Sequence, residues 1–328
     1  MLGNLSYKTK QFFFTLIKLS IVVGASYFIY HKLAHNDNLH FNDFIVFLTK
    51  NDLFLTKNIV FLIILSVFNW FFEILKWKNL VSYIKNISFF EALKQSLAAL
   101  TASLFTPNRI GEYGAKAIYF TNPFRKRILL LNLIGNIAQM ATTLVFGIIG
   151  FSLFVSKYNI DITYYKMPQL LGLAIIVIAF LLFVIKRTKL KIKGFFIQRI
   201  RDFIINIPKR IHIKNVIFSV IRYLIFTLQF YYLLTLFSVD ISYFNAMIVI
   251  ASMYLFSSII PTIFVFDVVV KGSVALFLFD IVGVNELTIL SVITLMWILN
   301  FVLPSVFGGL FVLNFEHYKT INSTSNNE

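Results

Sequence analysis

The 328-residue chain contains no cysteine. Disulfides, thiolate metal sites and thiol nucleophiles are therefore excluded, while the compartment stays open, because a Cys-free chain fits either side of a membrane. Proline is scarce, at 6, and glycine numbers 13, which excludes collagen-like and low-complexity classes. Charge is scarce too: 13% of residues are Asp, Glu, Lys or Arg, against about 25% in ordinary soluble chains. Acids are the rarer sign, 14 against 30 bases, for a net charge of +16. A nucleic-acid partner would require a solvated basic domain, and none is visible. The excess suits an anionic membrane surface, or a compositional bias toward Lys, Asn, Ile and Phe. No GxxxxGK[ST], HExxH or GxSxG motif occurs. His31, His35 and His40 share a loop with Asp37 and Asp43, but their gaps match no specific metal signature. The expectation is a protein without metal or cofactor, and not an enzyme.

Apolar sequence fills the space. Hydrophobic residues make up 59% of the chain and the mean hydropathy is +0.82. At roughly 20 residues per span, the length holds roughly six to nine membrane segments. Apolar stretches run over residues 12–30, 59–75, 93–105, 128–155, 170–185, 216–237, 246–260, 268–278 and 287–315. The first carries Lys18 and is too long for the apolar region of a cleaved leader, so it reads as a signal anchor. Two others are too short to cross. The 93–105 stretch runs into Thr106-Pro-Asn-Arg-Ile-Gly111, and 246–260 runs into Pro261 before 268–278 follows. Broken backbone at membrane depth survives only where protein or a water-filled cavity satisfies it. The expectation is an all-α polytopic integral membrane protein, a single domain over 1–328. It would have six full spans plus two re-entrant helical hairpins, at about 91–120 and 246–280.

The bases test this topology. With both termini cytoplasmic, twenty lie in inner segments, Lys76 and ten bases of a 186–214 loop among them, against five in outer segments. That split obeys the positive-inside rule. The hairpins would then enter from opposite sides, which suggests an inverted repeat. A short polar tail covers 316–328.

Five bases remain at membrane depth: Lys18, Arg109, Lys116, Arg222 and Lys271. So do Glu73, Glu112 and Asp267, with Asp280 near an interface. Each charge at the bilayer centre costs about 2.5–3.5 kcal/mol on insertion scales, so most need a partner or a cavity; Lys18 can snorkel. The two breaks share a pattern: Pro107 then Glu112 and Lys116, Pro261 then Asp267 and Lys271. Acid and Lys four apart share a helical face. They either neutralise each other or form a divided headgroup site, with carboxylates meeting amines and Arg109 and the lysines meeting phosphate. Asn132, Asn136, Gln139 and Thr143 line one face of a span, Asn69, Glu73 and Lys76 form a shorter stripe, and Arg222 and Gln229 lie two turns apart. Such stripes serve interhelical hydrogen bonding or a pathway equally well. Trp70, Trp77 and Trp297 are assigned to interfaces and packing.

The stretch from Thr106 to Lys116 (Thr-Pro-Asn-Arg-Ile-Gly-Glu-Tyr-Gly-Ala-Lys), Asn69 through Glu73 to Lys76-Trp77, Arg222-Tyr223, and Pro261 through Lys271-Gly272 together resemble the flippase-like family named for the transmembrane region of lysylphosphatidylglycerol synthases. The resemblance covers nearly the whole chain, and its Pro-x-Arg-x-Gly-Glu motif is the most specific part. It implies a cell-membrane lipid translocase, moving a phospholipid or a polyprenyl-phosphate-linked lipid between leaflets. Its partners would be membrane lipids, anionic or aminoacylated. Arg109 and Glu112 carry over as headgroup contacts; Lys116, Asp267, Lys271, Arg222 and Glu73 join them from the charge pattern, with Asn132, Asn136 and Gln139 as a supporting polar face. The family's second hairpin often carries a Gly-rich sequence and Glu, where this chain reads Phe264-Val-Phe-Asp267. Full-length synthases append a cytosolic aminoacyl-transferase domain, and none is expected here. A membrane-embedded accessory to a lipid-linked glycosyl or group transferase, or a non-transporting scaffold, are the alternatives.

Overall fold

A computed structural model describes residues 49, 55–104, 106, 110–158, 191–192, 195–259 and 264–315. The described chain is helical apart from a two-residue antiparallel pair, β1 (Lys191–Ile192) with β2 (Phe195–Phe196), in which Lys191 faces Phe196.

The first half contains α1 (Thr56–Val81), α2 (Phe89–Ser103), α3 (Ile110–Ala117) and α4 (Asn122–Tyr158). A short amphipathic helix, α5 (Ile197–Asn206), precedes the second half. That half contains α6 (Lys209–Leu236), α7 (Tyr243–Ile259), α8 (Phe264–Asp280) and α9 (Glu286–Trp297). A π-helical turn (Ile298–Val302) then leads into α10 (Leu303–Leu313).

Local chemistry explains these elements. No Gly or Pro interrupts the 26 residues of α1. The start of α2 is a capping box: the Ser88 hydroxyl accepts from the Glu91 N–H at 3.1 Å, and the Glu91 carboxylate accepts from the Ser88 N–H at 2.7 Å. Beyond α2 the Thr106 hydroxyl accepts from the Gly111 N–H at 2.9 Å. The Gly111 Cα sits against the Ala102 carbonyl so closely that a Cβ there would collide with it.

Among the described residues four helical runs are long and apolar enough to cross a membrane: Thr56–Val81, Asn122–Tyr158, Lys209–Leu236 and Glu286–Leu313. They mark the chain as an all-α, multi-pass membrane protein. Large apolar side chains point outward along them, Val67 at 61% exposure and Phe307 at 58% among them, as lipid-facing surfaces do. Four is not the six expected from sequence. The four match the expected spans at 59–75, 128–155, 216–237 and 287–315; those at 12–30 and 170–185 lie outside the described residues. The basic residues Arg125, Lys126 and Arg127 occupy the first turns of α4. That helix, 37 residues long, measures roughly 55 Å at 1.5 Å per residue and so outreaches the hydrocarbon layer.

The two halves repeat one order: long helix, two short helices across a break, long helix. Their packing repeats as well. The two opening helices α1 and α6 pack on each other, and each half's first short helix packs on the closing run of the other half, α2 on α10 and α7 on α4. Small residues make both of these seams. A Cβ at Gly147 would lie 2.6 Å from that of Leu255, and one at Gly150 2.6 Å from that of Ala251. At Gly308 it would run into the Leu97 carbonyl and the Thr101 hydroxyl. Close backbone approach of this kind supplies packing where lipid removes the hydrophobic drive between helices. Two apolar clusters flank the centre, one built around Trp77, Leu80 and Leu131, the other around Phe230, Leu233 and Ile289.

Candidate functional site: a charged cavity between the halves

Between these clusters lies a cavity of about 330 Å³, lined from α1, α2, α3, α4, α6, α7, α8 and the π turn. Its charged residues are Glu73, Lys76, Glu112, Lys116, Arg222 and Lys271.

Glu73 is the centre of the ion-pair network. Lys76, one turn on, reaches its Oε2 at 2.7 Å, and Arg222 from α6 donates to the same oxygen. Lys116 lies 4.0 Å from Oε1. The Lys116 ammonium, itself 2% exposed, donates to Glu112 at 2.8 Å and to the Asn132 side-chain carbonyl at 2.8 Å. It also sits 4.5 Å above the Trp77 ring, a cation–π contact strengthened by burial. Arg222 donates its Nε to the Asn69 side chain at 3.1 Å and its Nη1 to Gln139 at 3.2 Å. One carboxylate thus joins three bases from three helices, which compensates charges that hydrocarbon would otherwise exclude.

A second network closes the floor. Pro304 has no N–H, so the helical carbonyls one turn before it lose a donor. Side chains of α1 replace it: the Ser66 hydroxyl donates to the Leu299 carbonyl at 2.5 Å, and the Trp70 indole donates to that of Asn300 at 3.0 Å. The π turn follows from this break and directs the Asn300 side chain inward. There it accepts from Asn69 at 2.9 Å and donates to Gln229 at 2.8 Å. Gln229 donates in turn to the Leu62 carbonyl at 3.0 Å.

Two lining hydroxyls stand apart. Tyr223 is 7% exposed and Ser96 3% exposed, and neither hydroxyl has a hydrogen-bond partner among the described residues. Buried polar atoms are normally paired, so these two have capacity for something that enters the cavity.

Of the residues singled out from sequence, Glu73, Glu112, Lys116, Arg222 and Lys271 meet in this one cavity, with Asn136 and Gln139. Asn132 stands behind Lys116 as its hydrogen-bond acceptor. Glu112 and Lys116 pair as their spacing predicts. Arg109 lies outside the described residues, as does the side chain of Asp267, so the expected meeting of those two charges with the rest has no counterpart here. Lys76, counted among the bases of the inner segments, is 2% exposed and paired with Glu73. It belongs to the polar stripe of Asn69, Glu73 and Lys76. Trp77 and Trp297 are packing residues as expected, but Trp70 lines the cavity. Asn300 escaped the sequence reading; its signal is a lone Asn within an apolar span, four residues before a proline.

In comparisons with known proteins, no family model matches the chain and no curated protein sequence matches it.

Proposed function

We propose that the protein is a lipid translocase of the cell membrane, and that the cavity between its halves receives the lipid headgroup. The observation that carries this reading is the position of the cavity. Six charged side chains line a space at the junction of two broken helix pairs, in a chain whose outer surface is apolar. Charges kept at such cost in a membrane protein mark a pathway or a ligand. The matching order and packing of the halves support an inverted repeat, with the breaks α2–α3 and α7–α8 as re-entrant hairpins. Rocking one half against the other would expose the cavity to each leaflet in turn. The resemblance to the flippase-like family, carried by the residues around Glu73, Glu112, Arg222 and Lys271, points the same way. Both termini are placed in the cytoplasm.

Reconstitution into proteoliposomes with headgroup-accessible fluorescent phospholipids tests the reading. Protein-dependent loss of inner-leaflet fluorescence after addition of an impermeant quencher is the expected result. Folded protein that leaves the lipid in its original leaflet would refute transport. Single cysteines placed in this Cys-free chain test the topology, and outside labelling at position 189 would overturn the assigned orientation.

A further inference from the structure

We infer that α5 is an interfacial helix whose outer face, Arg201 flanked by Ile204 and Ile205, docks on anionic headgroups of the leaflet where α6 enters the membrane. This surface lies away from the cavity and needs no lipid transport to act.

Its depth follows from α6. Only Ile207 and Pro208 separate α5 from that membrane-crossing helix. The outward apolar stripe of α6 starts at Ile213, 59% exposed, and continues through Val216 and Ile217. Ile213 lies four residues into the helix, roughly 6 Å from Lys209 at 1.5 Å per residue. That is about the thickness of one headgroup layer, so α5 sits at headgroup level. Three contacts hold it there. The Phe203 ring packs edge-on against Tyr83 at 5.5 Å, Ile207 is buried in the cluster around Trp77, and the His212 Nε2–H donates to the Ile204 carbonyl at 3.2 Å.

Spacing decides the docking face. Arg201, Ile204 and Ile205 stand three and four residues apart and share one side of the helix, while Phe203 turns to the protein. Ile204 is 38% exposed and Ile205 65%, with Arg201 exposed between them. A bilayer interface takes up apolar side chains with a base beside them. Charge names the lipid. The Trp77 cluster brings Ile87, Ile128 and Ile207 together, and with them the end of α1, the start of α4 and the α5–α6 junction. Lys85, Arg127, Arg201, Lys209, Arg210 and Lys214 are exposed at this end. Among the described residues the exposed acids there are Asp202 and Glu91, and Glu91 caps α2. At the opposite end, where Phe154, Phe237 and Phe279 meet, the exposed charges described are Lys57, Lys157, Asp240, Asp280 and Glu286, with no excess of bases. The basic end is the one that an anionic leaflet attracts.

Single cysteines in the full Cys-free chain, each carrying an environment-sensitive fluorophore, test the docking in nanodiscs. Ile205→Cys probes the docking face, and Asn206→Cys, about 100° further around the helix, the side away from it. Thermal melting checks folding. The discs contain phosphatidylcholine alone or with phosphatidylglycerol, each with a phosphatidylcholine bearing a nitroxide just below its headgroup. The nitroxide should quench the label at 205, more strongly with phosphatidylglycerol present, and should quench the label at 206 little in either disc. The docked-to-free ratio at 205, read from the two fluorescence lifetimes in the anionic disc, should fall about fivefold on adding Arg201→Gln, the share of one base near such a surface. High salt should lower it as well. Equal quenching at 205 and 206 would overturn the docking face. Equal quenching at 205 in the two discs would overturn the anionic partner. A label at 205 shielded from aqueous acrylamide yet untouched by the nitroxide would show protein covering the face, and would overturn the membrane as its partner.

Discussion

The two halves share a scaffold but not a charge. The first contributes Glu73, Lys76, Glu112 and Lys116 to the cavity wall, two acids and two bases that satisfy one another. Among the described residues the second contributes Arg222 and Lys271 with the hydroxyls of Tyr223, Tyr254, Ser257 and Ser258. Among the described lining residues, acids and bases are thus mixed on the first side, and bases and hydroxyls make the second. The charges of the first wall pair with one another and, through Glu73, with Arg222 of the second.

The comparison breaks most completely at Glu73, the point where the halves are joined electrically. Glu73→Gln removes the carboxylate shared by Lys76 and Arg222 and leaves buried bases short of compensation. Breaking a buried pair in this way costs about 3–5 kcal/mol. Thermal unfolding in detergent should show the loss. A variant as stable as the parent would mean that the network is not structural.

The two seams come next. Gly308 faces a backbone carbonyl, that of Leu97, whereas Gly147 faces the Leu255 side chain and, at 3.2 Å, the Ala251 carbonyl. The Leu255 atom is its Cβ, which moves only with the backbone. The approach at Gly308 is the closer, however, nearer to the Leu97 carbonyl than the 2.6 Å at Gly147, so Gly308→Ala should destabilise more than Gly147→Ala. Overpacking of this kind costs about 1–3 kcal/mol. Equal melting temperatures for the two variants would remove the distinction between the seams.

Lys271 and Glu112 separate ligand from scaffold. Glu112→Gln touches the self-satisfied wall. Lys116 keeps Asn132 and the neighbouring Glu73 as partial compensation, so the loss of stability should be smaller than at Glu73, about 1–3 kcal/mol. The double variant Glu112→Gln/Lys116→Gln should recover it. Lys271→Gln touches the other wall. Lipid transport should fall about tenfold, the worth of one lost charge-assisted contact, with thermal melting as the check that the protein is folded. Normal transport by folded Lys271→Gln protein would count against the cationic wall as the ligand face.

Much of this was legible in the sequence, and the physics shows why. An all-helical membrane protein follows from the length of the apolar stretches. The helices α2 and α7 end shortly before Pro107 and Pro261, and the Glu112–Lys116 pair follows from its i,i+4 spacing. The start of α2 was also written out, as Ser88-Phe-Phe-Glu91, a capping-box spacing. What could not be read locally is what depends on another helix. The hub role of Glu73 needs Arg222, 149 residues away, and Asn300 takes its partners from α1 and α6. The pairing of Lys76 was legible in part, because it follows Glu73 by one helical turn in the stripe that also holds Asn69.

The smallest expected effect lies within α3 itself, where two glycines three residues apart differ in surroundings. A Cβ at Gly111 would strike the Ala102 carbonyl and lie 2.9 Å from the Thr106 hydroxyl, while one at Gly114 would meet nothing within 4 Å. Gly111→Ala should therefore force the break open and reduce stability. Gly114→Ala should raise it by about 0.5–1 kcal/mol, the usual gain from replacing a helical glycine. Transport then reports on how α3 works. If the half-helix stays rigid while the halves rock, the stiffer Gly114→Ala protein transports at the parent rate. If α3 must unwind to release the headgroup from Glu112 and Lys116, the same added helix stability slows each cycle. A raised melting temperature with unchanged transport would assign α3 to the fixed wall and leave the motion to the second half.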